Sequence, residues 1–354
     1  MNARQSKRVT LNDIALAVGM DNSTVSLALR NDTRIKEVTR NKIQQMAMDM
    51  NYVPNRLARS LSSKGTQSIG ILFESLASQF HVPCVESFYE VLEGQGYTLS
   101  IQVSLFELER QDRILQQFAE SRVDGVIWAA VTGDEDEIDN SLKILQNSHI
   151  PSVMLSGDLS SSLSCMSVGI NTWDAVRVGA RYLSHLGHHR IGILSGADIK
   201  GMRGAQHKTR ANLAITALAE NGIEIRPEDI FSVSDNEYGA IPIGRILAER
   251  LPADRPTAIF AMDDMLGRSL VHGLSIMDLP PPSPISVLGY DNAPGSEIGP
   301  HPLTTVSLNT REMGRHAMER LLTQIQASTG LQTMTHERIP PRIVERSTCI
   351  SVSP

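Results

Sequence analysis

From Ser68 onward, short apolar runs alternate with stretches whose apolar residues recur at helical spacing. The runs are SIGILF, TLSIQV, GVIWAA, SVMLS, RIGILS, IFSV, AIFAM and SVLGY. Runs of this length separated by amphipathic segments indicate parallel strands joined by crossover helices. We expect about nine such units, which are too many for one compact sheet. The sequence therefore predicts an α/β body of two lobes, each built on a doubly wound parallel sheet.

Polar side chains follow several of these strands where they end. In open parallel sheets, ligands bind beyond the carboxyl ends of the strands, which here places a site in the cleft between the lobes. A cation and a carboxylate facing a cleft can hold hydroxyls or a planar polar ligand by charge-assisted hydrogen bonds. Besides Glu74 and Ser75, the candidates are Phe80, Ser156, Arg210, Asp263 and Asp291. The alternative for Asp263 and Asp291 is that they only cap the ends of their strands.

The first helix of the chain is predicted from the segment VTLNDIALAVG. Thr10 is its expected N-cap and Asp13 its third residue, flanked by the hydrophobic staple of Val9 and Ile14. Gly19 ends the helix and supplies a turn. Four apolar residues lie on one face of the helix at helical spacing, namely Leu11, Ile14, Ala15 and Val18.

Two further helices follow. Asp21 can cap the helix NSTVSLAL, whose inward residues are Val25, Ala28 and Leu29 and whose outward residues are Asn22, Ser23, Ser26 and Leu27. A third helix is expected from about Lys36 to Asn51, with an inner face of Val38, Ile43, Met46, Ala47 and Met50. Two short helices around a glycine turn, braced by a third, form a helix-turn-helix whose second helix enters the major groove. The alternative is a generic three-helix bundle with a polar face.

The segment YVPNRLARSLSS comes next. Pro54 ends the preceding structure and Asn55 can cap a helix that is too short to be stable alone. Arg56 and Arg59 accompany Leu57 and Leu61, which lie on one face of that helix. A leucine that separates stacked base pairs, beside arginines that neutralise phosphates, is typical of a minor-groove wedge. We therefore expect this helix to fold only on DNA.

The distribution of charge agrees with a nucleic-acid partner for the N-terminal part. Residues 1–66 carry 11 Lys and Arg against 5 Asp and Glu, whereas the remainder carries 22 against 34. A basic head on an acidic body suggests that only the head meets a polyanion, although a basic solvated tail is the alternative. No apolar run approaches a membrane span, the start is not a secretory signal, and the three cysteines lie far apart. We therefore expect a cytoplasmic protein.

The segments VTLNDIALAVGMDNSTVSLAL, YVPNRLARSL and SIGILF resemble, in order and spacing, the lactose-repressor (LacI/GalR) family of bacterial transcription regulators. The resemblance implies a homodimer on a near-palindromic operator, a body with the periplasmic-binding-protein fold, and an effector grip at Arg210 and Asp291. It implies a head at 1–53, a hinge at 54–66 and a body at 67–354. Within the body we place one lobe at about 67–168 and 308–337, and the other at about 169–307 and 338–354.

The predicted DNA-contacting residues are Thr10, Asn22, Ser23, Thr24, Ser26, Leu27, Asn55, Arg56, Ala58, Arg59 and Leu61. Leu27 departs from the family, many of whose members have arginine there. Leucine cannot form bidentate bonds to guanine, but it can pack on a thymine methyl. We therefore expect an operator half-site that differs from the common half-site of the family. Asn22 and Ser23 should make more of the polar contacts to the bases. In the body, Met262 replaces an asparagine of some sugar-binding members, which argues against a simple sugar effector.

Motifs of enzyme chemistry are missing from the sequence. It has no GKS or GKT loop, GxSxG, HExxH or CxxC, and GILSGADIKG does not match GxGxxG. His185 and His189 could pair on a metal, but Gly187 favours a helix end there, so neither metal nor cofactor is predicted. The predicted function is a dimeric repressor controlled by a small polar effector. The alternatives are a sugar-type binding protein without a DNA role and, less favoured, a hydrolase with an Asp/His pair.

Overall fold

A computed structural model describes residues 9–53, 65–76, 79–129, 135–156, 165–197, 202–234, 236, 238–327 and 335–352. The chain separates into two compact units, Met1–Thr66 and Gln67–Pro354. None of the helices in the described ranges is long and apolar enough to cross a membrane.

The described part of the N-terminal unit contains three helices, α1 (Leu11–Val18), α2 (Asn22–Leu29) and α3 (Glu37–Asp49). Thr10 and Asp13 form the predicted capping box at the start of α1. Gly19 has a φ of 69°, in the left-handed region that glycine adopts without strain, and it ends the helix as predicted. The core of the unit consists of residues from all three helices, namely Ile14, Ala15, Val18, Val25, Ala28, Ile43 and Ala47.

The predicted inner face of α3 is wrong at one position. Val38 is 83% exposed, whereas Ile43 and Ala47 are buried. Met46 and Met50 pack against this core in part, as expected. Val38 lies five residues before Ile43, and at about 100° per residue this places it about 140° around the helix from the buried face. The sequence pattern included Val38 because it is apolar, although its spacing to Ile43 does not place the two on one face of a helix.

Two six-stranded sheets form the body. The first lobe is built on β1 (Ser68–Phe73), β2 (Thr98–Val103), β3 (Gly125–Ala129), β4 (Ser152–Ser156), β5 (Met166–Gly169) and β11 (His336–Arg338). The second lobe is built on β6 (Ile191–Ala197), β7 (Ile230–Ser234), β8 (Ala258–Ala261), β9 (Ser286–Asp291), β10 (Thr304–Ser307) and β12 (Arg342–Val344). The strand orders are β11-β5-β4-β3-β1-β2 and β12-β10-β9-β8-β6-β7, with only β12 antiparallel to its neighbour among the described pairings. The predicted two-lobed parallel α/β body is confirmed.

Four of these strands were not predicted as apolar runs. β5, β10, β11 and β12 have three or four residues each and include polar sequences such as TTVS and HER. Runs this short carry little hydrophobic periodicity, so their place in a sheet depends on the neighbouring strands. The chain therefore crosses between the lobes after β5, after β10 and after β11.

Helices cover the sheets of both lobes. The described helices are α4 (Val82–Leu92), α5 (Leu108–Glu120), α6 (Glu135–Asn147), α7 (Thr172–His185), α8 (Met202–Ala219), α9 (Ile241–Glu249), α10 (Asp264–Ile276) and α11 (Thr310–Gln326). α11 follows a strand of the second lobe but packs on α4 and on β3, β4 and β5 of the first lobe. Trp128 is fully buried in the core, and so it offers no exposed ring for a ligand.

Candidate nucleic-acid interface and ligand cleft

The start of α2 is organised by the carboxylate of Asp21. Asp21 accepts hydrogen bonds from the backbone N–H of Thr24 (2.8 Å), from the Thr24 hydroxyl (2.6 Å) and from the Ser23 hydroxyl. The hydroxyl bonds from Ser23 and Thr24, followed by the backbone bond, lower the pKa of Asp21 well below its usual range. The cap therefore stays ionised at physiological pH and fixes the N-terminal turn, which is the part of a recognition helix that reaches base edges.

The polar residues predicted to read DNA already have partners within this unit. The Asn22 amide donates to the Asn12 side chain at 3.3 Å, and Ser26 accepts hydrogen bonds from Arg30. Thr10 donates its hydroxyl to Asp13 at 2.7 Å. Leu27 is partly exposed. The outward face of α2 is thus an ordered, uncharged surface whose hydroxyl and amide groups retain further hydrogen-bonding capacity.

The remaining predicted DNA contacts lie outside the described residues. They belong to the segment after Val53 and comprise Asn55, Arg56, Ala58, Arg59 and Leu61.

In the body, the second lobe brings Arg210 and Asp291 together. Arg210 Nη1 lies 3.8 Å from Asp291 Oδ1 and donates to the Met262 carbonyl at 3.3 Å. The guanidinium carbon lies 4.8 Å from the ring centroid of Tyr290, a favourable cation–π distance. Asp291 ends β9 with a φ of 106°, and its side chain is only 8% exposed. A charge pair held this way at a strand end can orient a polar ligand.

The first lobe contributes a second pair of polar side chains, Glu74 and His81. Glu74 follows β1, and its Oε1 lies 3.3 Å from Nε2 of His81, whose ring stacks on Phe73 at 4.2 Å. Burial would raise the pKa of Glu74, but the charges of His81 and, further away, Arg210 lower it overall. Glu74 and His81 thus belong to the first lobe, whereas Arg210 and Asp291 belong to the second. Neither Glu74 Oε2 nor the ring nitrogens of His81 have a hydrogen-bond partner among the described residues.

The other predicted effector-binding residues, Phe80, Asp263 and Ser156, lie in three different kinds of local structure. Phe80 lies in the one-turn helix Gln79–His81, with its ring edge-on to His81 at 5.2 Å. Asp263 is the N-cap of α10 and accepts hydrogen bonds from the backbone N–H groups of Met265 and Leu266. This agrees with the alternative that Asp263 has a capping role. Ser156 ends β4, and its side chain lies outside the described part of the chain.

No group of three potential metal-binding side chains occurs in the described ranges. His185 bonds the Arg181 carbonyl at 2.7 Å through Nδ1, consistent with a helix end.

Two family models match the chain. Residues 10–55 match the bacterial regulatory proteins of the lacI family, and residues 180–349 match a periplasmic binding protein-like domain. The helix-turn-helix and the two-lobed body thus match separate, compatible models in one chain. The chain thus combines a helix-turn-helix domain of the lacI type with a periplasmic binding protein-like domain.

Relatives and solved structures are similar to the chain over nearly its whole length. The chain is 28% identical to the HTH-type transcriptional repressor PurR of Photobacterium profundum, over 96% of this chain and 98% of that protein. It is also 28% identical to the HTH-type transcriptional regulator DegA of Bacillus subtilis, over 96% and 97%. The Lac repressor dimer bound to operator and the anti-inducer ONPF shares the fold, with a TM-score of 0.79, 23% identity and coverage of 97% and 100%.

The sequence predicted Arg210 and Asp291 as effector-binding residues but did not single out His81 or Tyr290. Tyr290 could have been noticed because it directly precedes Asp291 at the end of β9. His81 had no comparable signal, because Glu74, the carboxylate it contacts, lies seven residues earlier in the sequence. Met262 is fully buried and contributes its carbonyl, so the side chain that replaces asparagine does not enter the described cleft surface.

Proposed function

We propose that this protein is a LacI-family transcriptional repressor whose binding to operator DNA is controlled by a small polar effector. The observation that carries the proposal is the alignment with repressors and regulators such as PurR and DegA over 96% of the chain, which includes both units. The proposal places the protein in the cytoplasm, where its DNA is.

For the DNA half of the proposal, residues 1–53 form the head and 54–66 the hinge of each protomer in a homodimer. Two recognition helices, one from each protomer, read two half-sites of a near-palindromic operator. Leu61 is the proposed wedge at its centre, with Arg56 and Arg59 on phosphates. The ordered polar face of α2 supports the proposal because its N-terminal turn presents hydroxyl and amide groups at the correct end of the helix.

For the effector half, residues 67–354 form the body, and the ligand lies between Glu74 and His81 on one lobe and Arg210 and Asp291 on the other. Buried polar atoms without partners are costly, at about 1–3 kcal/mol each, so Glu74 Oε2 favours a ligand that supplies a hydrogen-bond donor, and His81 Nδ1 favours a ligand group, such as a hydroxyl, that can donate or accept. Each cationic side chain here faces its own carboxylate, His81 with Glu74 and Arg210 with Asp291, so no excess positive charge favours an anionic group at this position. The effector class that fits is a neutral or basic molecule rich in hydroxyl or amino groups.

Control then operates by a population shift between lobe arrangements. A ligand that contacts Glu74 and His81 on one lobe and Arg210 and Asp291 on the other can make all of these contacts only at one angle between the lobes, so it prefers that arrangement. A change in that angle alters the spacing of the two hinges and their ability to pair on DNA.

The direct test is footprinting of the intact protein on fragments carrying its own upstream region, with and without a metabolite panel. We expect a protected near-palindrome whose occupancy responds to at least one metabolite. A failure to protect any sequence under any condition would contradict the repressor and favour a ligand-binding protein without a DNA role.

A substitution at Leu27 tests the assignment of the recognition helix. Leu27→Arg supplies a guanidinium that can bond guanine O6 and N7, so the preferred half-site should shift towards guanine at one position, with about 1–3 kcal/mol of discrimination. Selection from a random duplex library measures the shift. The same preference in both proteins would contradict the placement of α2 in the major groove.

Substitutions in the cleft test the effector site. Arg210→Gln removes one partner of a largely buried pair, and such truncations cost about 2–5 kcal/mol in binding, so effector affinity should fall roughly 30-fold or more. Glu74→Gln should also weaken binding of neutral or amino-bearing ligands. Thermal shift against sugars, nucleosides, amines and organic acids provides the readout, with Arg245→Gln, an exposed residue paired to Glu249, as the charge-matched control. Unchanged ligand shifts in Arg210→Gln would refute the assignment.

A further inference from the structure

We propose that Arg30, at the end of the recognition helix, binds a backbone phosphate of the DNA duplex while orienting Ser26 towards the same strand. The inference rests on the DNA-binding function proposed above and adds a contact that sequence reasoning did not include.

The position of Arg30 supports this role. The helix α2 (Asn22–Leu29) carries no charged side chain, and Arg30 is the C-cap residue that directly follows it. Arg30 lies three residues after Leu27 and four after Ser26, so it shares their side of the helix. It is exposed, whereas Val25 and Ala28 on the opposite side are buried. The guanidinium is therefore the first positive charge along the outward face.

The contacts of Arg30 hold it over that face. Its Nε donates to the Ser26 carbonyl at 3.2 Å, and Nη2 donates to the Ser26 hydroxyl oxygen at 2.7 Å. Because the Ser26 oxygen accepts this bond, its own proton can be donated outward to a phosphate oxygen. The remaining N–H groups of the guanidinium fork can bind the same phosphate, for which this geometry is well suited.

The nearby Arg34 shows a contrasting arrangement. Its Nε and Nη2 donate to Asp32 at 2.9 and 2.7 Å, and the pair raises the pKa of Arg34. The charge of Arg34 is therefore compensated by a carboxylate, although the side chain is 73% exposed. Arg30 bonds only neutral acceptors among the described residues, and it affects Asp32 only through longer-range charge. Of these two neighbouring cations, Arg30 retains more of its charge for DNA.

Phosphate is favoured over a base edge as the partner of Arg30. The N-terminal turns of a recognition helix reach the bases, while residues near its other end approach the flanking backbone. Phosphate contacts fix the register of the protein on the duplex without reading its sequence. The contact should therefore contribute equally on any duplex, and it can be measured without knowing the operator.

The experiment measures binding of the intact protein to a random-sequence duplex between 50 and 200 mM salt. It compares wild type with Arg30→Gln, Arg30→Lys and the matched control Arg34→Gln. Each phosphate contact contributes about −0.9 to the slope of log affinity against log salt concentration. Loss of one contact should therefore reduce the ratio of the affinities at 50 and 200 mM salt roughly 3.5-fold. We expect Arg30→Gln to make the slope shallower by about 0.9 per engaged head, Arg30→Lys to retain most of it, and Arg34→Gln to change it much less.

Two outcomes would overturn the inference while leaving the proposed function intact. They are an unchanged salt slope in Arg30→Gln, and a change in Arg34→Gln as large as that in Arg30→Gln. Absence of salt-dependent binding by the wild type would instead overturn the proposed function and the inference together. Circular dichroism checks that each variant keeps its helices, as expected for exposed positions.

Discussion

Operator binding by the intact protein should weaken by roughly 10³–10⁵-fold when salt rises from 50 to 200 mM, if the two heads make on the order of ten phosphate contacts. The physical reason is counterion release, because each phosphate neutralised by Lys or Arg frees condensed cations from the duplex. The basic head, with 11 Lys and Arg in residues 1–66 against 5 acids, supplies these charges, while the acidic body does not. Fluorescence anisotropy with a labelled operator duplex measures the slope directly.

A charge-matched variant in the body serves as the control for this salt effect. Arg245→Gln removes one positive charge that is paired to Glu249 at 2.8 Å on an exposed helix, and the salt slope should not change. Effector affinity should vary much less with salt than operator affinity, because the proposed effector is not a polyanion. An operator slope no steeper than about −2 would mean that only a few phosphates are contacted, contrary to a two-headed dimer.

The second large effect is expected at Asp264, the fully buried first residue of α10. Its carboxylate accepts hydrogen bonds from the Ala293 N–H (2.8 Å), the Ser296 hydroxyl (2.6 Å) and the Thr305 hydroxyl (2.6 Å). Asp264→Ala leaves these buried donors without an acceptor, at about 1–3 kcal/mol each before relaxation. We therefore expect the free energy of unfolding of the body to fall by about 3–5 kcal/mol, measured by urea denaturation.

This stability loss should also depend on pH. Burial, opposed by the bonds from Ser296 and Thr305, raises the pKa of Asp264 from its ordinary 3.8 to about 6. The folded state therefore holds the proton more tightly than the unfolded state, and the contribution of Asp264 to stability decreases as pH rises through this window. The loss of unfolding free energy caused by Asp264→Ala, relative to the wild type, should therefore be about 1 kcal/mol larger at pH 5 than at pH 7.5.

Two further variants separate these effects. Asp264→Asn keeps the side-chain volume and one acceptor oxygen, so it should lose less unfolding free energy than Asp264→Ala. Because asparagine cannot titrate either, its loss relative to the wild type should show the same dependence on pH. The exposed Asp254→Ala should change the unfolding free energy by no more than about 0.5 kcal/mol. A pH-independent deficit in both Asp264 variants would show that the carboxyl titrates alike in the folded and unfolded chains.

Local structure was predictable wherever a few neighbouring residues determine it. The capping box of Thr10 and Asp13, the turn at Gly19 and the cap at Asp21 were all predicted from short sequence patterns and are confirmed. The apolar runs SIGILF, TLSIQV and SVMLS form strands with the predicted bounds. In contrast, the short strand His336–Arg338 had no signal of its own, because its sequence is polar and its place depends on pairing with β5.

The sequence by itself determined the class of the chain, since caps, glycine turns and apolar runs of strand length act over a few residues. It also indicated Asp291, which ends a strand, and Arg210, which the family resemblance suggested. Only the tertiary structure placed His81 beside Glu74 in the first lobe, and Arg210 beside Tyr290 and Asp291 in the second. Charges and hydrogen bonds act over a few ångströms of space, and residues as distant in sequence as Arg210 and Asp291 reach that distance only after the sheet and its helices have packed.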